Sequence, residues 1–111
     1  MQATSSIKQN SAFRRIYASG KSAASGHIVL YCKRNRFGQS RLGITASSKV
    51  GNAVIRNRVR RRLREIYRLH ESEMRSGYDF VLVARVRAAG ATYKQLERDF
   101  LRLADKLSLC V

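Results

Sequence analysis

Between Arg56 and Arg64 six of nine residues are arginine, in the run "RNRVRRRLR". A guanidinium binds phosphate through two parallel N–H donors and stacks flat on a nucleobase, and a lysine ammonium does neither. Like charges at helical spacing repel by roughly 0.2–0.5 kcal/mol per pair, and no Asp or Glu precedes Glu65 to relieve them. The chemistry open to such a run is neutralisation of a polyanion. Phe13 and Tyr17 stand four residues apart, and Tyr31 lies in a β-rich stretch. Rings so placed serve either a core or a stacking platform for unpaired bases, with nearby cations holding the backbone. Residues suited to acid–base, nucleophilic or metal chemistry are sparse. His27 and His70 have no acid–base partner at a useful sequence spacing and read as solvated or hydrogen-bonded side chains. The seven acids form no D-x-D or E-x-x-H pattern, and "GNAVIRNR" lacks the second glycine and the Lys-Ser/Thr of a phosphate loop. Cys32 and Cys110 have neither CxxC nor zinc-ligand spacing and read as inert thiols in a reduced compartment. The chain reads as a binder rather than a catalyst.

The charge distribution says the same. The 111 residues carry a formal net charge of +16. Fifteen Lys and Arg residues lie up to Arg64 with no acid among them, whereas the eight that follow are nearly balanced by seven acids. Self-repulsion on this scale opposes folding, and a polyanionic partner explains why it is kept. A membrane surface fits less well, because the cations spread over strands, loops and a helix with few interfacial aromatics. The longest apolar runs, "IVLYC" and "FVLVA", are far too short to span a bilayer, and "MQATSSIKQN" has no apolar signal region.

These residues need elements to position them. Asn10 or Ser11 is expected to cap a short helix through Ala18, with Gly20 closing it. "HIVLYCK" (27–33) reads as a strand, bounded by Gly26 and the turn "RNRFGQS", and 21–25 as a loop or short edge strand. "RLGITAS" (41–47) alternates Leu42, Ile44 and Ala46 against Arg41, Gly43 and Thr45, the pattern of a half-buried strand. A helix is expected from about Asn52 to His70. Ile55, Val59, Leu63, Ile66 and Tyr67 form its dry face, Asn57, Arg60, Arg61, Arg64 and Arg68 lie opposite, and Arg56, Arg58 and Arg62 flank the boundary. "YDFVLVARV" (78–86) is apolar on both faces, as a central strand should be. Thr92 and Gln95 form a capping box for a last helix carrying Tyr93, Leu96, Phe100, Leu103 and Leu107. The reading is one α+β domain over residues 10–109, preceded by a flexible tail at 1–9.

The ordered set "SRLGITASSKVGNAVIRNRVRRRLREIYR" (40–68) resembles the signature of the bacterial ribonuclease P protein component: a strand of the form R-x-G-[IL], a lysine and glycine after it, then A-V-x-R-N-[RK] opening an arginine-rich helix. Arg41, Gly43, Lys49, Gly51, Ala53, Val54, Arg56, Asn57, Arg58, Arg60, Arg61 and Arg64 occupy its positions. "NSAFRRIYASGKSA", "IVLY" and "GYDFVLVAR" resemble the family's first helix, second strand and last strand. The resemblance implies a four-stranded mixed sheet in α-β-β-β-α-β-α order, similar to ribosomal protein S5 domain 2. Its βαβ crossover, which holds the arginine helix, would be left-handed against the usual preference.

It also implies a function: the protein subunit of a cytoplasmic ribonucleoprotein endoribonuclease that removes the 5′ leader of precursor tRNA. The catalytic RNA and its Mg²⁺ would perform the hydrolysis, and no catalytic side chain or metal would belong to the protein. Arg56, Asn57, Arg58, Arg60, Arg61, Arg62, Arg64 and Arg68 are thereby expected to contact the catalytic RNA. Phe13, Tyr17, Tyr31, Ser47, Ser48 and Lys49 are expected to line a cleft for the leader, with the two serines standing where the family commonly has Lys or Arg. Two other classes share the charge: a ribosomal or assembly protein with no enzyme attached, and a DNA-binding protein. The second fits less well, since Asn57 alone in the run suits base reading.

Overall fold

The computed structural model describes residues 4–111. Eight principal elements follow in chain order: β1 (Thr4–Ser6), α1 (Asn10–Ser19), β2 (Lys21–Ala24), β3 (Ile28–Arg34), β4 (Ser40–Ala46), α2 (Ala53–His70), β5 (Tyr78–Ala84) and α3 (Tyr93–Lys106). The strands form one mixed sheet in the order β1-β4-β5-β3-β2. β5 sits at its centre, parallel to β4 and antiparallel to β3. Leu30, Cys32, Leu42, Phe80 and Leu82 on one face meet Val59, Leu63 and Ile66 of α2 and Leu96, Phe100 and Leu103 of α3 in the main core. Ala12 and Ile16 of α1 pack with Val81 on the other face, so the two-faced apolar pattern of 78–86 is that of a strand covered on both sides.

The sheet has five strands rather than four. Thr4–Ser6, expected within a flexible tail, pairs in parallel with Ser40–Leu42. The Thr4 hydroxyl lies 2.9 Å from the Tyr67 hydroxyl, and the Ile7 N–H donates to the Leu42 carbonyl. Polar "TSS" carries no apolar alternation, so only its backbone and one buried hydroxyl mark it as a strand; residues 1–3 of the expected tail lie outside the described residues. The stretch 21–25, open between loop and strand, is strand β2 over Lys21–Ala24.

Helix boundaries follow local chemistry. Asn52 caps α2 by accepting the Ile55 N–H at 3.0 Å. The capping box of α3 forms as expected: the Gln95 N–H donates to the Thr92 hydroxyl and the Thr92 N–H to the Gln95 side chain. α1 departs from expectation at both ends. Asn10 is already helical, and Gln9 precedes it with no side-chain cap. Gly20 is extended rather than left-handed. It is needed for close approach, because a Cβ there would lie 2.6 Å from the Ile16 carbonyl oxygen and 2.7 Å from that of Cys32.

Strand register lays three cross-strand rows on the face that carries α1. Lys33, Asp79 and Arg41 form one; Tyr31, Val81 and Gly43 the next; Val29, Val83 and Thr45 the third. α1 covers the middle row: a Cβ on Gly43 would fall 2.5 Å from Cε1 of Phe13, and Ile16 packs on Val81. The rows on either side of the helix are partly covered: Val83 packs against the α1 cluster and Asp79 is buried, while Lys33, Arg41, Val29 and Thr45 are half-buried.

Candidate nucleic-acid interface

Burying Val59, Leu63, Ile66 and Tyr67 turns one line of α2 outward. Val54, Asn57, Arg61, Arg64 and Arg68 follow each other at three- and four-residue steps along it and are all exposed. Arg61 and Arg64 make no side-chain hydrogen bond or ion pair within the described residues, and Arg68 pairs with Glu65 one turn back at 2.5 Å.

The remaining arginines divide differently from the expectation of one RNA-facing group. Arg58 donates to the Ala89 carbonyl at 3.3 Å and Arg62 to the Ala91 carbonyl at 3.1 Å. Both tie α2 to the 3-10 turn at Val86–Gly90 and the residue after it. Arg60 turns the other way, donating to Asn57 and to the Ala46 carbonyl at the end of β4. A sequence shows that these three are cationic, and only the fold supplies the carbonyls that claim them.

On the opposite face of the sheet, Phe13, Tyr17 and Tyr31 come together from α1 and β3. The Phe13 and Tyr17 ring centroids are 6.3 Å apart, and Tyr17 meets Tyr31 edge-on at 4.8 Å. Phe13 and Tyr31 are half-buried, whereas Tyr17 is 40% exposed. Rings at these separations hold one another in place and leave surface free to stack. Asn10, Phe13, Arg14, Tyr17 and Thr45 line a concavity of about 500 Å³. Ser47, Ser48 and Lys49 follow β4 two to four residues beyond Thr45 and are all exposed. Phe13, Tyr17 and Tyr31 are thus gathered, and Ser47, Ser48 and Lys49 lie past the end of the strand and are not among the residues that line this concavity. Arg14 and Thr45 join this lining beyond the residues expected from sequence; Arg14 follows Phe13 directly, and Thr45 shares the α1-facing side of β4 with Arg41 and Gly43. The faces approach at the edge of β4 beyond β1, where Phe13 and Arg64 line one small cavity of about 100 Å³.

The acids hold the frame. Asp79 receives two hydrogen bonds from Arg41, at 2.8 and 2.6 Å, and one from Asn35. Burial pushes its carboxyl up, but these donors outweigh burial and hold it below the usual range. Both histidines find carboxylates: Asp99 and Glu97 are distant in sequence, but Glu73 lies three residues after His70, so the expectation of no partner at a useful spacing fails there. His27 lies 2.7 Å from Asp99, which also accepts from Ser25, pinning the β2–β3 turn to α3. His70 sits between Glu97 at 2.8 Å and Glu73 at 3.0 Å. The bond to Glu97, opposed by burial and helped by Glu73, holds its imidazole above the ordinary value. These are structural pairs, each bringing together different elements. Both cysteines are free, and burial pushes the Cys32 thiol up despite nearby Lys21. Among the described residues no three His, Cys, Asp or Glu side chains are grouped to hold a metal ion, and no helix is long and apolar enough to cross a membrane.

Comparison with known proteins gives a consistent result. Residues 1–108 match the family model described as Ribonuclease P. The chain is 45% identical over 103 residues to the ribonuclease P protein component of Natranaerobius thermophilus, covering 93% of this chain and 90% of that one. It is 39% identical over 109 residues to that of Clostridioides difficile, covering 97% and 96%. The solved RNase P protein of Staphylococcus aureus is similar with a TM-score of 0.88 at 34% identity, covering 96% of this chain and 97% of that one. The Thermotoga maritima protein gives 0.79 at 27% identity, covering 86% and 91%.

Proposed function

The chain belongs to the ribonuclease P protein family, and from that premise we propose how its two surfaces divide the work. Ribonuclease P is the endoribonuclease that matures tRNA 5′ ends, and this protein is a subunit of it acting with an RNA subunit. In our reading the exposed line of α2, centred on Asn57, Arg61, Arg64 and Arg68, binds the catalytic RNA, chiefly through phosphates. Arg58, Arg60 and Arg62 set the helix in place through carbonyls of neighbouring segments, and all four of Arg56, Arg58, Arg60 and Arg62 reinforce its potential. The aromatic cleft receives the single-stranded 5′ leader of precursor tRNA: bases stack on Tyr17 and its neighbours, while Arg14, Ser47, Ser48 and Lys49 hold phosphates. Hydrolysis belongs to the partner RNA and its Mg²⁺, and the protein's cations ease the crowding of phosphates that those ions must also counter. In this reading its work lies in the cytoplasm.

One observation carries this reading: two cationic surfaces lie on opposite faces of one sheet, one with an open aromatic cluster and one without. A duplex-binding or purely scaffolding protein has no use for the cluster, whereas a subunit that must tell precursor from product does. Phe13→Ala is expected to weaken binding of leader-bearing tRNA by roughly 1–3 kcal/mol and to leave mature tRNA unaffected, measured as paired dissociation constants of the reconstituted holoenzyme. Equal losses on both substrates would point to core damage and against the cleft.

A further inference from the structure

The row of Lys33, Asp79 and Arg41 beside α1 belongs to neither surface. Here Lys33 and Arg41 flank Asp79, the end of β3 brings up Arg34, and the β3–β4 turn brings up Arg36 and Phe37; Arg15 of α1 closes a depression of about 490 Å³. Five cations face one carboxylate, which Arg41 already occupies. Arg15, Lys33, Arg34 and Arg36 have no hydrogen-bonded or ion-paired partner for their side chains among the described residues.

The turn is built to hold its shape. The Asn35 side chain accepts the Phe37 N–H at 3.0 Å while its amide donates to the Gln39 carbonyl and to Asp79, each at 2.9 Å. Gly38 supplies the positive φ of +70° that follows. The Phe37 ring is thereby presented to solvent, 65% exposed, with the Arg41 guanidinium 4.8 Å from its centroid. An aromatic ring backed by a cation and ringed by unpaired arginines is the arrangement that takes a base and its flanking phosphates.

The two rows are joined across α1. Arg14 lines the aromatic concavity and Arg15, the next residue, lines the charged corner; both are exposed. A strand leaving the cleft meets cations in succession as it crosses the helix. We infer that the corner formed by Arg15, Lys33, Arg34, Arg36 and Phe37 binds the distal part of the 5′ leader, with an unpaired base stacked on Phe37 and phosphates held by the arginines. The inference rests on the cleft reading above, and the experiment separates the two.

Precursor tRNAs with leaders of about three and about ten nucleotides, the shorter ending inside the cleft, are compared with mature tRNA on the reconstituted holoenzyme. Phe37→Ala, on an exposed turn whose backbone is fixed by Asn35, is expected to weaken the long-leader precursor at least about fivefold and to spare the other two. Arg15→Ala with Arg36→Ala should lower the salt dependence of long-leader binding by about 0.7 log–log units per lost phosphate contact. Phe37→Trp should retain the wild-type preference. Arg41 is left unaltered because it holds Asp79. A long-leader affinity unchanged in both variants overturns the inference, as does a loss shared by all three substrates, which would make the corner part of the assembly surface for the catalytic RNA. Phe13→Ala reports on the cleft alone: if leader preference survives it while Phe37→Ala still loses only the long leader, the corner stands and the cleft reading falls.

Discussion

Replacing Gly43 by alanine perturbs the aromatic cleft without removing any of its residues. Gly43 is buried in β4 beneath Phe13, and a Cβ added there would lie 2.5 Å from Cε1 and 2.7 Å from Cζ of that ring, with the Ile7 Cβ 3.5 Å away. Carbon atoms rest at about 3.5–4.0 Å, so the ring must retreat by roughly 1 Å. Phe13 is half-buried and on the open side of α1, so the cheapest path tilts the ring outward against Tyr17. Overpacking of this kind costs about 1–3 kcal/mol of folding stability, visible in a thermal melt. Losing part of a stack worth about 1–3 kcal/mol should reduce the preference for leader-bearing over mature tRNA by roughly fivefold. The assay is a pair of equilibrium titrations of the reconstituted holoenzyme with the two tRNAs. Gly90→Ala is the control, since a Cβ there meets nothing within 4 Å. The reasoning is refuted if the melt shifts as expected and leader preference stays at the wild-type value, because the ring would then have moved without consequence.

Other consequences are equally direct. Arg61→Ala with Arg64→Ala, which remove exposed cations with no described side-chain partner, should lower the log–log salt slope of association with the catalytic RNA by one to two units and leave the melt nearly unchanged; an unaltered slope removes RNA binding from this line of α2. Arg62→Ala should behave in the opposite sense, costing about 1 kcal/mol of stability through the lost bond to the Ala91 carbonyl, read by denaturant titration. His70 has its proton held by Glu97 and Glu73, so its contribution to stability is complete below about pH 6.5 and is lost as pH rises through the elevated folded value. Wild type should therefore lose stability relative to His70→Gln as pH is raised through that window, and parallel curves would dismiss the pair.

The elements legible from sequence are those whose residues repeat at a fixed period. The dry face of α2, the alternation of β4 and the two-sided apolarity of β5 each repeat a local pattern, and the Thr92 capping box is a four-residue motif. β1 was hidden because three polar residues become a strand only when Ser40–Leu42 offers a free edge. Gly20 has a sequence context that suits a left-handed cap, and its constraint is instead close approach to the carbonyls of Ile16 and of Cys32, the second twelve residues away. At the candidate interface the residue types were readable and their allegiances were not. Six arginines look alike in a string, yet Arg58, Arg60 and Arg62 are engaged by carbonyls of distant segments while Arg61 and Arg64 are left to solvent. Asp99, the partner of His27, and Glu97, one of the two partners of His70, likewise come from α3, at separations of 72 and 27 residues where no spacing rule applies, whereas Glu73 stands only three residues after His70.

The central claim is that opposite faces of the sheet meet different RNAs, and site-directed crosslinking addresses it most directly. A photoreactive group is placed at position 61 on α2 or at position 17 on α1, and the holoenzyme is assembled with precursor tRNA and irradiated. Position 61 should capture the catalytic RNA, and position 17 the 5′ leader, with the second signal disappearing when mature tRNA is substituted. Capture of the same RNA from both positions, or a position-17 crosslink that persists without a leader, would contradict the account.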